Sequence, residues 1–344
     1  MSLAVQPRRL LGIALAILGL LGLAFVVGLV VGHRPLDLGR ALSDPLSVER
    51  TILVEHRLPR VLLGAIVGAA LSVSGAAFQA LMKNPLADPF VLGASGGAAL
   101  GGTIVICVGL GTLVLPGGLM VSTVPIAAFL GGLGALVLVM VLAGTPRGAS
   151  PVDVLLVGVV MNFFASAVVM FLKTTVRAEK AQELLFWLMG TLDVERVTDL
   201  EIGLSAVLVG VGALALSALG QALNVLTLGD EAAAALGVDP RRVRRWVLVT
   251  TSVVVGAAVS VSGLIGFVGL VVPHVVRLVL GADHRVLLPA SAVLGAVFLV
   301  LCDAVSRVLF SVFSGETPVG VVTAVIGGPV FVWLLRRTAR DEAL

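Results

Sequence analysis

Long uncharged stretches recur along the whole of this 344-residue chain, and they decide what it can fold into. Leu10–Gly32 is the first, and runs of 18 or more residues without a charge follow it repeatedly. Each can cross a bilayer as a helix, because a helix satisfies its own backbone hydrogen bonds where no water is present. Charged residues make up only 12% of the chain, about half the share of an ordinary soluble domain. The segments between the runs are short, which leaves no room for a large water-facing domain. Chemistry that needs one has to come from a partner. The first run follows Arg8 and Arg9; it is longer than the core of a signal peptide and lacks a clear small-x-small cleavage site, so it is read as a retained span.

The runs give ten expected spans: 10–32, 58–82, 90–115, 118–144, 152–172, 199–226, 246–262, 266–281, 286–310 and 318–335. Residues 246–281 are read as two spans and not one, because Gly263, Gly266, Gly269 and Pro273 interrupt them. With the N-terminus inside, the inner segments carry 13 basic and 8 acidic residues and the outer ones 10 and 12, within a net charge of +3. Lys and Arg concentrate on cytoplasmic loops, so both termini are expected inside the cytoplasmic membrane. A nine-span count would put Arg336, Arg337 and Arg340 outside. The arginines read as membrane-flank residues, not as a surface for nucleic acid. Cys107 and Cys302 both fall in apolar runs and read as small core residues.

One phrase occurs twice: GAALSVSG at Gly68–Gly75 and GAAVSVSG at Gly256–Gly263. The copies fall in expected spans 2 and 7, so they run in opposite directions, as in an inverted repeat. Chance in a chain rich in Gly, Ala, Val, Ser and Leu is the competing account. Gly64 and Gly68 form GxxxG, and Ala65, Ala69, Ser72 and Gly75 extend a surface that lets helices approach closely.

Three other stretches carry the functional argument. NPLADP, Asn84–Pro89, ends span 2 firmly, and GASGGAALGG, Gly93–Gly102, opens span 3. LGDEAAAALGVDPRRVRR, Leu228–Arg245, is the most charged inner loop. Asp230 and Glu231 can open a short helix that Gly237 ends, and Asp239 with Pro240 can start another. Either it is a solvated loop or it is a docking element for a cytoplasmic partner. In the last stretch His274 has no second metal ligand at helical spacing. Asp303 and Arg307 stand four residues apart and can pair; they are either a structural pair or part of a polar vestibule. No GxxxxGK[ST] phosphate loop, nucleophile–base set or metal cluster is present. An ion-coupled secondary transporter would need acids near the bilayer centre, and Asp303 is the one candidate.

RLPR at Arg57–Arg60, GAALSVSGAAFQALMKNPLADPFVLGASGGAALG, GDEAAAALGVDPRRVRR, GLIGFVGLVVPHVVRLVLGADHRVLLPAS and ETPVGVVTAVIGGPVFVWLL follow one another in this order. In them the chain resembles the FecCD-type permeases, the membrane subunits of ABC importers for iron–siderophore complexes, haem and cobalamin. The resemblance runs from about Arg57 to Leu335. It implies an all-α integral membrane protein of about ten helices with an inverted repeat, in the manner of the cobalamin-importer permeases. It also implies a homodimer of permeases, two cytoplasmic ABC ATPases that hold ATP and Mg, and an external substrate-binding protein. This chain itself is expected to bind no cofactor and to catalyse no reaction.

Site residues follow from the same resemblance. Residues 228–245 are the expected coupling loop, with Gly229, Asp230, Glu231, Ala232, Leu236, Gly237 and Arg241 against the ATPase. Arg57, Arg60 and Arg307 are expected to meet acidic residues of the binding protein, with interfacial snorkelling as the alternative. Asn162 and Thr323 are expected on the translocation pathway. Iron–siderophore is the first expected cargo, with cobalamin and haem behind it.

Overall fold

The computed structural model describes residues 7–32, 36–114, 120–144, 151–309 and 318–341, and almost every element in them is a helix. α1 (Pro7–Val30) leads through α2 (Leu38–Ser43) to α3 (Val48–Thr51). A π-helical turn, Ile52–Arg57, joins α3 to α4 (Leu58–Met82). A 3₁₀ turn, Pro89–Leu92, precedes α5 (Ala94–Val108). The strands β1 (Thr112–Val114) and β2 (Met120–Ser122) pair antiparallel, with Leu113 opposite Val121. Then come α6 (Thr123–Ala143), α7 (Pro151–Thr175), α8 (Ala178–Met189) and a 3₁₀ turn, Val194–Arg196. α9 (Asp199–Ala218), α10 (Gly220–Leu226), α11 (Asp230–Ala235) and α12 (Pro240–Ser262) follow. The chain closes with α13 (Val268–Leu280), α14 (His284–Leu309) and α15 (Val319–Asp341).

Seven of these helical units are long and apolar enough to cross a membrane: α1, α3 with α4, α6, α7, α9, α12 and α14. Shorter apolar helices, α5, α13 and the Val319–Trp333 part of α15, stand where the other three spans were expected. α4 begins and ends at the expected residues. The expected span 90–115 is the largest misfit. Its helix covers Ala94–Val108, because Gly109 stops it in a left-handed conformation (φ +80°) and β1 follows. The expected span 199–226 is two helices, broken at Leu219. Arg147 and the Glu316–Thr317 part of the ETPVG stretch lie outside the described residues.

α4 is the central helix. From Val61 to Leu81 most of its residues are buried, which suits a helix that is apolar or small on every side. It packs against α9, α12, α13 and α14, whereas α12 packs against α4, α5, α6 and α9. The two helices that carry the repeated phrase therefore touch each other, and each also packs against the pair of helices that follows the other. α4 and α14 run antiparallel, with Gly64 beside Val300 and Gly68 beside Gly295.

Close approach explains the glycines of the first copy. A Cβ on Gly68 would strike the backbone carbonyl of Gly295, and one on Gly75 would strike that of Gly269. The second copy works differently. Gly256 faces the Phe129 ring, and Gly263 ends α12 with φ +67°. The serines diverge too: Ser260 and Ser262 donate to Ala257 and Ala258 carbonyls, while Ser72 and Ser74 have no partner. The same phrase thus packs helix on helix in one place and terminates a helix in the other.

Candidate coupling and docking surfaces

At one end of the bundle, Leu228–Arg245 folds as a helix–turn–helix. Gly229 (φ +111°) lets the chain leave α10 and start α11. α11 is only six residues long, and Asp230 at its first position pairs with the positive end of its backbone dipoles. Arg244 of α12 reaches back to the same carboxylate, with Nη2 at 2.7 Å from Oδ1 and 2.8 Å from Oδ2. Ala233 is fully buried beneath α11, and the Val238 amide closes the turn on the Ala233 carbonyl at 2.9 Å. Gly237 takes φ +80°, and Asp239 Oδ1 accepts from the Arg241 and Arg242 amides to cap α12.

The outer side of this element is exposed and mixed in character. Glu231, Gly237 and Arg241 are exposed. Leu228, Leu236 and Trp246 are each more than 60% exposed. Gly229 and Ala232 are half-buried. Apolar side chains standing out of a rigid charged loop are what a partner surface would cover.

At the other end, Asp303 gathers the arginines. It is buried in α14, accepts from Arg60 Nη2 at 2.8 Å and Nε at 2.9 Å, and pairs with Arg307 Nε at 3.0 Å. Arg307 and Arg57 then turn to the C-terminus of α1. Arg307 Nη2 donates to the Gly28 carbonyl at 2.8 Å, and Arg57 Nη1 donates to Leu29 at 2.7 Å and Val30 at 2.6 Å. These carbonyls have no partner within a helix, and they mark the negative end of its dipole. So two of the three arginines expected to dock a partner cap α1 from inside. Arg57 is 6% exposed and Arg307 4%. The side chain of Arg60 keeps 22% exposure and is the more accessible of the set. Arg57, Arg60 and Arg307 still border an open recess of about 480 Å³, with Gly32, His56 and Glu195. Asp303 and Arg307 form a pair shared with Arg60, and Arg307 also lines the recess, so both accounts open for them stand.

Asn162 and Thr323 bond inside the subunit. Asn162, from α7, donates Nδ2 to the Phe90 carbonyl at 2.8 Å and accepts from the Gly96 amide at 3.0 Å. α5 has no capping side chain of its own, since Gly93 precedes it. A side chain from another helix therefore caps it. Thr323 is fully buried and donates to the Gly320 carbonyl at 3.0 Å. Among the described residues no three His, Cys, Asp or Glu come together as a metal site, and both cysteines are free.

Sequence reasoning missed the capping of α1 and of α5. Neither had a local signal, because the partners lie 28, 66 and 279 residues apart along the chain.

The FecCD transport family model matches residues 20–337. The chain belongs to that family. The cobalamin import system permease protein BtuC of Halobacterium salinarum is 46% identical over 281 residues, 81% of this chain and 72% of that one. The hemin transport system permease protein HmuU of Yersinia pestis is 39% identical over 98% of both chains. A probable iron chelatin transport system permease of Helicobacter pylori is 39% identical over 86% of each. A solved structure described as an inward-facing conformation of a metal-chelate type ABC transporter superposes with a TM-score of 0.82 at 30% identity. It covers 95% of this chain and 99% of the other. This FecCD chain is accordingly an all-α, multi-pass ABC importer permease of the inner membrane, a transport component.

Proposed function

We propose that this permease works as a homodimer that moves a bulky metal chelate into the cytoplasm by alternating access. Two ATPase subunits drive it at the α11 loop, and an external binding protein delivers the cargo at the Arg60 face. The observation that carries the reading is the α11 element: a short helix pinned by Asp230 and Arg244, with Glu231, Leu236, Gly237 and Arg241 directed to water. Gly229 and Ala232, half-buried, belong to the same surface and also set its shape. ATP and Mg belong on the ATPase, because this chain has no phosphate loop. Both termini lie on the same cytoplasmic side as α11, as the excess of basic residues there favours. At the other end Arg60 and the recess beside it offer positive charge to an acidic partner, while Arg57 and Arg307 hold its floor. Asn162 and Thr323 are read as pathway residues that also brace the helices they sit on.

The relatives named above serve a cobalamin, a hemin and an iron chelatin system. An iron–siderophore complex is the first reading of the cargo. Cobalamin is the second, and the 46% identity to a cobalamin permease favours it. The test is reconstitution with the cognate ATPase and binding protein in vesicles, with labelled ferric siderophore, cobalamin and haem offered in turn. ATP-dependent uptake of one of them is expected. Uptake driven by an ion gradient without ATPase would overturn the reading.

A further inference from the structure

The end of the bundle that carries α11 also holds a charge whose hydrogen bonds are largely unmade. Arg277 lies half-buried in the last turn of α13, beside α4 and α14. Its Nη2 reaches the neutral Gln79 Oε1 at 3.5 Å, the outer limit of a hydrogen bond, and its Nε is buried without a partner. A guanidinium carries five N–H donors in a planar fork. No ion pair among the described residues gives it a carboxylate. Asp283, the nearest acid along the chain, is taken by Arg285 Nη2 at 2.8 Å and by Asn224 Nδ2 at 2.7 Å.

The other groups around it are polar, and the nearby charges of Asp283 and Arg285 are spent on each other. His274 and His284 lie within electrostatic reach of the guanidinium. Each is more than nine-tenths buried, and each has an Nε2 with no partner. Leaving a charge and two ring nitrogens unmatched is costly in a low dielectric, and an anion on the guanidinium would offset that cost. The outward neighbours say what kind of anion. Leu278 and Val279, next to Arg277 on the same helix, are 52% and 74% exposed. Charge stands at the border of a bare apolar surface, where a lipid places its headgroup above its acyl chains.

We propose that Arg277 binds the phosphate of an anionic phospholipid at the α11 end of the bundle, with the acyl chains against Leu278 and Val279. A planar fork on a phosphate gives two charge-assisted hydrogen bonds where Gln79 gives one weak one.

The test uses the full chain, delipidated in neutral detergent, with thermal unfolding followed during titration by phosphatidylglycerol, phosphatidylcholine or inorganic phosphate. Phosphatidylglycerol should raise the unfolding temperature where phosphatidylcholine does not. Arg277→Gln should need roughly tenfold more phosphatidylglycerol for the same rise, and Arg285→Gln, an exposed charge at the same end, should need no more. An equal rise with inorganic phosphate would keep the site and assign it to a free phosphate. Equal wild-type responses to the two lipids would overturn the proposal whether or not the variant folds. So would a loss in Arg285→Gln as large as in Arg277→Gln, since the effect would then be general charge.

Discussion

Arg244 clasps Asp230 by both carboxylate oxygens, at 2.7 and 2.8 Å, and so fixes α11 against the first turns of α12. Fourteen residues separate the two along the chain. The pair turns a six-residue helix, too short to stand alone, into a rigid feature continuous with a long helix. A push on α11 is then a push on α12, and through it on α4.

Breaking that clasp should uncouple transport before it unfolds the protein. The Asp230 side chain is about half exposed, so Asp230→Ala should cost under about 1 kcal/mol of stability. Uptake per ATP hydrolysed should nevertheless fall strongly in the reconstituted complex. The swap Asp230→Arg with Arg244→Asp should recover part of it, because the contact is re-formed with reversed charge. Unchanged uptake and hydrolysis in Asp230→Ala would remove the clasp from the coupling path.

Asp303 is a different case, because it is buried between two guanidinium groups. Asp303→Asn takes this carboxylate charge away from both, and loss of one partner from a buried ionic group costs about 3–5 kcal/mol. Arg60→Gln should cost less, since that side chain is partly in water and Arg307 still holds the carboxylate. Thermal unfolding in detergent orders the two variants. An Asp303→Asn protein as stable as Arg60→Gln would mean that the three charges do not act as one group.

The chain announces its helices more clearly than its contacts. The end of the span 58–82 was legible because NPLADP breaks it, whereas upstream of RLPR the backbone stays helical back to Val48. The loop around α11 was legible for the same reason, through Gly229, Gly237, Asp239 and Pro240. The end of α5 was not, since Gly109 has no Pro beside it and the apolar run continues through Leu110 into β1. α8 lies between the expected spans 152–172 and 199–226; it carries Glu179, Lys180 and Glu183, while Leu184 and Trp187 are buried. The arginines were singled out through the resemblance to the permease family. Which groups they serve depends on α1 folding back beside α4 and α14, and no spacing in the sequence states that.

Asn162 offers a test of capping at a distance. Asn162→Ala removes the acceptor for the Gly96 amide and the donor to the Phe90 carbonyl together. A partly buried amide left unmet costs about 1–3 kcal/mol, and the loss should appear as faster hydrogen exchange at the start of α5. Asn162→Asp keeps the acceptor and should protect Gly96 better than alanine does. If exchange at Gly96 is the same in wild type and Asn162→Ala, the cap contributes nothing.

The Asp283 carboxyl predicts how the α11 end responds to acid. Arg285 first, and Asn224 after it, hold this carboxyl well below the usual carboxylate range. A depressed value in the folded state means stability that is present above the unfolded value, near 3.9, and lost as the pH falls below it. The pair is largely in water, so the amount is under about 1 kcal/mol. Asp283→Asn should therefore be slightly less stable than wild type at pH 7, with the gap closing below about pH 4. Unfolding curves at several pH values decide it, and a gap that stays constant down to pH 3 would show that the pair is not the cause.

The first copy of the repeated phrase should tolerate less change than its composition suggests. A methyl group on Gly68 meets the carbonyl of Gly295, and one on Gly75 meets that of Gly269, so both α14 and α13 would have to move off α4. Neither obstacle is a flexible side chain that can turn away. Gly68→Ala or Gly75→Ala should each cost at least about 1–3 kcal/mol through overpacking, with transport lost earlier than folding, since these crossings join the helices that must move together. Gly266→Ala is the control, because a methyl group there meets nothing within 4 Å. Thermal unfolding of the three variants side by side, with uptake measured on each, checks the expectation. A Gly68→Ala protein indistinguishable from Gly266→Ala would show that α4 and α14 can separate freely, and the rigid transmission of motion from α11 through α4 would fall with it.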